Sequence, residues 1–227
     1  MNKKNILTAA VSLSLVACLS IGATLAYFTD KTDVKTNTFT TGNVDVTLID
    51  QAFKEDPNAT WTVGTKPNEQ GGYDYSNVMP GDHIGKNVAV QINDGSQDCY
   101  VALSVRIENT NDPEGLYTDM SDLYKQIVAV SADYGWLYDY TTNGAMVFYY
   151  PMALKADSLD DTAQLFTYLD IPTEWGNEYT NSTLNITVQA AAVQAANLNA
   201  PVGIEDTREV NDSIDSVVEL NKLLFGE

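Results

Sequence analysis

The chain has 227 residues, with 31 acidic against 12 basic side chains and a formal net charge of −19. A surface that acidic repels nucleic-acid phosphates and anionic lipid, which removes both as partners of the folded protein. A single histidine, His83, and two cysteines, Cys18 and Cys99, leave few side chains for imidazole- or thiol-based catalysis.

In chain order, Lys3 and Lys4 precede an uncharged apolar run over residues 6–25, the layout of a secretory signal peptide. Thr24 and Ala26 place small side chains where a signal peptidase needs them, so residues 1–26 are predicted to leave by cleavage between Ala26 and Tyr27. Uncut, about 20 apolar residues just span a bilayer, and the membrane is then reached only through this segment. Leu15-Val16-Ala17-Cys18 also has the form of a lipobox. Lipidation at Cys18 would leave residues 19–26, still apolar, outside the bilayer, whereas a cut after Ala26 uses the whole stretch. Only Cys99 then remains, and no intramolecular disulfide is possible.

Residues 27–39 carry no Gly or Pro and are rich in Thr, Val and aromatic side chains, as an extended strand would be. Period-two alternation follows at Val44, Val46 and Leu48, then at Val88, Val90 and Ile92. Cys99, Val101, Leu103, Val105 and Ile107 alternate with Tyr100, Ala102, Ser104 and Arg106, which makes Cys99 a small core hydrophobe. Further runs lie at 145–150, at 165–169, and at Leu184, Ile186, Val188 and Ala190. Turns such as Asp56-Pro57-Asn58, Met79-Pro80-Gly81-Asp82 and Asn93-Asp94-Gly95-Ser96 separate these runs. The expectation is an all-β, jelly-roll-like antiparallel β-sandwich spanning 40–200, with one buried and one wet face per strand. Residues 51–78 read as a long decorated loop or hairpin, and 121–130 as a short helix through Leu123, Ile127 and Val130. The 201–227 tail is predicted to be helical and to pack back on the domain. Its stripe is Ile214, Val217, Val218 and Leu224, with Asp212 or Ser213 as cap.

Candidate chemistry is thin. A zinc peptidase needs several His or carboxylate ligands and an activated water, yet His83 stands alone in a turn and no His-Glu-x-x-His run occurs. Carboxylate pairs such as Asp160 and Asp161, or Asp30 and Asp33, carry little information among 31 acids. Asp157, Asp160 and Asp161 are weak calcium candidates that lack EF-hand spacing. Trp61, Trp136, Tyr138, Tyr140, Tyr149 and Tyr150 leave a carbohydrate-binding module open, although strand tyrosines more often pack. No cofactor and no catalytic residue is expected.

Ala23-Thr24-Leu25-Ala26-Tyr27-Phe28-Thr29-Asp30 and Asn37-Thr38-Phe39-Thr40-Thr41-Gly42-Asn43-Val44 resemble the start of proteins cleaved by SipW-type signal peptidases. Met79-Pro80-Gly81-Asp82, residues 93–105 and residues 186–197 are similar, in the same order, to passages of the TasA and camelysin family. The resemblance implies a secreted or cell-surface jelly roll of a Gram-positive-type bacterium, built into biofilm-matrix fibres. By this resemblance the N-terminal segment of one subunit completes the sheet of the next, through Tyr27, Phe28, Thr32, Val34 and Phe39 here. The implied partners are further copies of the chain, a SipW-type signal peptidase during export, and a minor or anchoring fibre subunit. Camelysins also carry a peptidase label, which makes a secreted metallopeptidase the rival reading.

Overall fold

Runs in which every second residue is Val, Leu, Ile or Cys bury one side when extended, and the longest strands form on these runs. The computed structural model describes residues 29–31, 44–52, 66–67, 73–74, 79–109, 121–140, 144–156, 158–175, 184–205 and 207–226. Among them the elements are β1 (Thr29–Lys31), β2 (Val46–Ala52), β3 (Lys66–Pro67), β4 (Tyr73–Asp74), β5 (His83–Ile92), β6 (Cys99–Asn109), α1 (Ser121–Asp133), β7 (Leu137–Tyr140), β8 (Met146–Tyr149), β9 (Thr162–Asp170), β10 (Leu184–Gln194) and α2 (Asp215–Phe225). The fold is an all-β sandwich of a five-stranded sheet ordered β1-β10-β6-β8-β7 and a three-stranded sheet ordered β2-β5-β9, with β3-β4 as a separate hairpin. Every strand pair is antiparallel.

The inner faces of the two sheets share one core. Val46, Val88, Val90 and Phe166 come from the smaller sheet, and Val101, Leu103, Val105, Phe148 and Val188 from the larger. Each such side chain contributes roughly 1.5–3 kcal/mol on burial. Register follows from this demand: β6 and β10 pair continuously from Asn109↔Leu184 to Cys99↔Gln194, and a slip of one residue would turn the whole apolar set outward. Cys99 is fully buried, as its alternation predicts. Lys86, almost wholly buried, is neutralised by an ion pair across β2 and β5 with Asp50.

The β5–β9 ladder is irregular between Gly85 and Ala89. The side chain of Gln164 serves the backbone there, its Nε2 donating to Val88 O (2.7 Å), Phe166 O (2.8 Å) and Asn87 Oδ1 (2.7 Å). The Gln164 carbonyl in turn accepts from Trp136 Nε1 (2.6 Å). At the start of β5, Asp82 Oδ2 accepts from Met79 N–H (2.8 Å) and Gly81 N–H donates to Ile171 O (2.9 Å). Gly81 takes a φ of 86° there, a conformation that costs a side-chain-bearing residue strain.

A second layer lies outside the larger sheet. Ala102, Val147, Tyr149, Ala191 and Val193 point away from the main core and are covered by Val210, Val217, Leu220 and Leu224. The expected wet face is therefore dry over these positions, which is why all four residues of β8 are buried. The Tyr149 hydroxyl donates to Asn221 Oδ1 (2.6 Å), and burial raises its pKa above the ordinary tyrosine value.

The tail helix departs from expectation in two details. It is capped at Ile214 with no side-chain bond rather than by Asp212 or Ser213. Asp215 instead accepts from Ser216 N–H (2.8 Å) and from Asn199 N–H (2.8 Å), tying the first turn to the strand exit. Val218 is exposed and Leu220 takes its place, because Val217, Leu220 and Leu224 follow the three-and-four spacing of one helical face. Helix α1 packs on β9, with Leu123 and Ile127 buried in the main core. The hydroxyl of Tyr124 accepts from Ile107 N–H (2.8 Å) and donates to Gly144 O (3.1 Å).

Candidate functional site

The outer edge of β10 is the place where a segment from the N-terminal part of the chain meets the sheet. β1 lies antiparallel on it, with Thr29 opposite Val193, Asp30 opposite Ala192 and Lys31 opposite Ala191. Ala190 and Ala192 face the inner core, whereas Ala191 and Val193 face the helix layer. Three consecutive alanines leave the edge backbone close to whatever lies beside it. Helix α2 flanks both β1 and β10, so a strand here has a sheet edge beside it and a helix over one face. Of the residues predicted to act in strand donation, Tyr27, Phe28, Thr32, Val34 and Phe39 lie outside the described residues, as does the cleavage site at Ala26.

Of the candidate metal residues, Asp160 and Asp161 are described. Asp160 is exposed, while Asp161 accepts from Thr162 Oγ1 (2.8 Å) and from Gln91 Nε2 (3.3 Å). Asp157 lies outside the described residues. His83 and Asp170 are register partners on β5 and β9, and Nδ1 of the imidazole meets Asp170 Oδ1 at 2.5 Å. The ring stacks on Tyr168 with centroids 4.7 Å apart. Gln126 of α1 holds the backbone of Asp170 from both sides, its Nε2 donating to Asp170 O (2.7 Å) and its Oε1 accepting from Asp170 N–H (2.9 Å). This arrangement fastens α1 and β5 to the end of β9. Among the described residues no group of three or more His, Cys, Asp or Glu could hold a metal ion. A zinc site usually draws on three or four such donors.

Of the aromatic candidates, Trp136 tilts against Tyr150 with ring centroids 5.1 Å apart, and Tyr138 meets Tyr140 edge-on at 5.8 Å. Trp136 and Tyr149 are fully buried and Tyr140 is exposed, while Tyr138 and Tyr150 are half-buried. Trp61 lies outside the described residues.

Sequence reasoning passed over the edge at the other end of the large sheet, because β7, Leu-Tyr-Asp-Tyr, shows no alternation of apolar residues. Here Asp139 has a raised pKa, caused first by burial and then by the nearby Asp212 and Glu209, against a lowering backbone bond from Tyr140. The folded state therefore binds this proton more tightly than the unfolded one, and stability falls as pH rises through the window above the ordinary 3.8. Asp139→Asn is expected to melt higher than wild type at pH 7, with the gap closing as the pH approaches 3.8. Calorimetry across that range checks it, and a gap that widens on acidification would show the sign to be wrong.

The profile of the camelysin metallo-endopeptidase family matches residues 2–130, which include β5 and β6 and reach the last turn of α1. No curated protein and no solved structure matches the chain. With more than half of its length covered in one stretch, the chain belongs to the camelysin family.

Proposed function

We propose that this protein is an exported, non-enzymatic subunit of extracellular biofilm-matrix fibres, in which residues 27–39 of one copy add as a strand to the β10 edge of the next. The supporting observation is the position of β1, antiparallel at the outer end of the five-stranded sheet, where the described residues Thr29, Asp30 and Lys31 pair with Val193, Ala192 and Ala191. An edge that accepts a short strand from its own chain offers the same main-chain groups to a longer strand from a neighbour. Phe28, Thr32 and Val34 stand at even spacing from Asp30, the residue opposite core-facing Ala192. In an extended donor they belong to one face and are suited to anchor it in the neighbour's core. Cleavage after Ala26 by a SipW-type signal peptidase frees the segment, and a minor or anchoring subunit is a further partner of such a fibre.

The test compares protein recovered from culture medium with a Phe28→Asp, Val34→Asp variant, using electron microscopy for fibres and calorimetry for the monomer. The paired carboxylates cost several kcal/mol per junction if buried unpaired, because an isolated carboxylate is far costlier to bury than a neutral polar group. Fibres should vanish while the monomer melt changes little. A collapsed melt, or fibres in undiminished yield, would sink strand donation. The family's peptidase name favours a second, catalytic reading. Digestion of casein that a chelator stops and His83→Ala abolishes would replace the structural role with that one.

A further inference from the structure

The five-stranded sheet has a second end, at β7, and the chain returns to cover it. Residues 202–205 and 207–211 form the two arms of a small hairpin, in which Ile204 N–H donates to Glu209 O (2.8 Å) and Asn211 N–H to Val202 O (2.8 Å). One arm lies parallel to β7, with Glu209 as bridge partner of Tyr138. Tyr138 N–H donates to Arg208 O (2.9 Å) and Tyr138 O accepts from Val210 N–H (2.9 Å), so both outward backbone groups of this residue are taken. The hairpin is fastened on three sides. The Arg208 guanidinium lies 5.6 Å from the centre of the Tyr138 ring and donates to Val128 O of α1. Val210 is buried beneath α2. Gly203 sits so close to Leu137 that an added Cβ would meet Thr207 O at 3.0 Å and Leu137 Cδ2 at 3.4 Å.

We propose that the 202–211 hairpin is an edge guard: it denies β7 to the strand of a second copy, so that the five-stranded sheet accepts one only at β10. Without the hairpin, β7 would present a bare edge next to β8, whose four residues are buried on both faces. Such an edge invites pairing with its own equivalent in another molecule. The hairpin replaces it with a two-residue ladder bent by a turn and flanked by Glu205, Arg208 and Glu209, too short and too charged to continue the sheet. A fibre subunit gains one direction of growth by this device, and lateral branching through β7 is suppressed.

The inference rests on strand addition at β10, and the experiment separates the two. Protein recovered from medium and carrying Phe28→Asp with Val34→Asp, which closes the β10 route, serves as the parent. Onto it are placed Val210→Pro, which deletes the N–H bonded to Tyr138 O, and separately Gly203→Val, which forces the arms apart. Sedimentation velocity should find the parent monomeric and both guard variants at doubled mass. An excess of a synthetic peptide of residues 202–211 should return them to monomer. A parent that still assembles counts against strand donation and leaves the guard to be judged by the added mass of its variants. Guard variants that stay monomeric with their strand circular dichroism intact overturn the guard, and so does a dimer that the peptide fails to reverse. If Val210→Pro loses its strand signal, Gly203→Val decides alone.

Discussion

Trp136→Ala should lower the free energy of unfolding by about 3–5 kcal/mol, the usual cost of emptying a large aromatic site in a packed core. Trp136 is fully buried, its ring tilts against Tyr150 at 5.1 Å, and its Nε1 donates to Gln164 O. That last bond sets the expectation apart from ordinary cavity formation. Gln164 is the residue whose side chain satisfies Val88 O and Phe166 O where the β5–β9 ladder slips. Loss of the indole frees the Gln164 backbone on one side and loosens the patch on the other. Trp136→Phe keeps most of the ring and orphans only the carbonyl, so it should cost about 1–3 kcal/mol, the desolvation cost of one unmade bond. Denaturant midpoints of the two variants check the order. A Trp136→Phe loss near zero would mean that the hydrogen bond contributes nothing, and equal losses in the two variants would mean that the ring packing adds nothing beyond that bond.

The second large effect is expected at Leu220, fully buried where α2 meets the sheet. Leu220→Ala should cost about 2–5 kcal/mol. Leu220→Asp behaves differently, because a buried unpaired carboxylate is avoided by undocking the helix rather than by unfolding the molecule. Its cost is thus bounded by the burial of Val217, Leu220 and Leu224 at roughly 1.5–3 kcal/mol each. The variant should bind a hydrophobic dye strongly while its strand circular dichroism stays near wild type. A cooperative loss of both signals would show that α2 and the sandwich melt as one unit.

The sandwich was legible wherever one face of a strand is apolar and the other polar. Val101, Leu103, Val105 and Ile107 alternate in the sequence and are all buried in the structure, and Val88, Val90 and Ile92 behave likewise. The pattern failed where a second layer covers the outside. Ala102 and Val147 count as wet positions by alternation, yet a helix from the far end of the chain dries them, and no local periodicity carries that information. β7 was missed for a related reason: Leu137 faces the helix layer and Tyr138 the inner core, so neither position contrasts with its neighbour. Ile214 as an unassisted N-cap was invisible because tertiary contacts through Asp215 and Asn199 stand in for the cap that Asp212 or Ser213 could have provided. Of residues 27–39, read from composition as an extended strand, Thr29, Asp30 and Lys31 are described, and they lie as β1 against the edge of β10.

The placement of α2 also governs timing. Every strand whose outer face the helix covers precedes it in the chain, and the β6–β10 ladder must close before that face exists at all. Under the export proposed above, a chain emerging N-terminus first presents Ala102, Val147, Tyr149, Ala191 and Val193 bare to its surroundings until residues 215–225 follow. The interval is one of exposure to chaperones and proteases, and the helix closes it. A chain shortened by a protease within α2 would return permanently to that exposed stage.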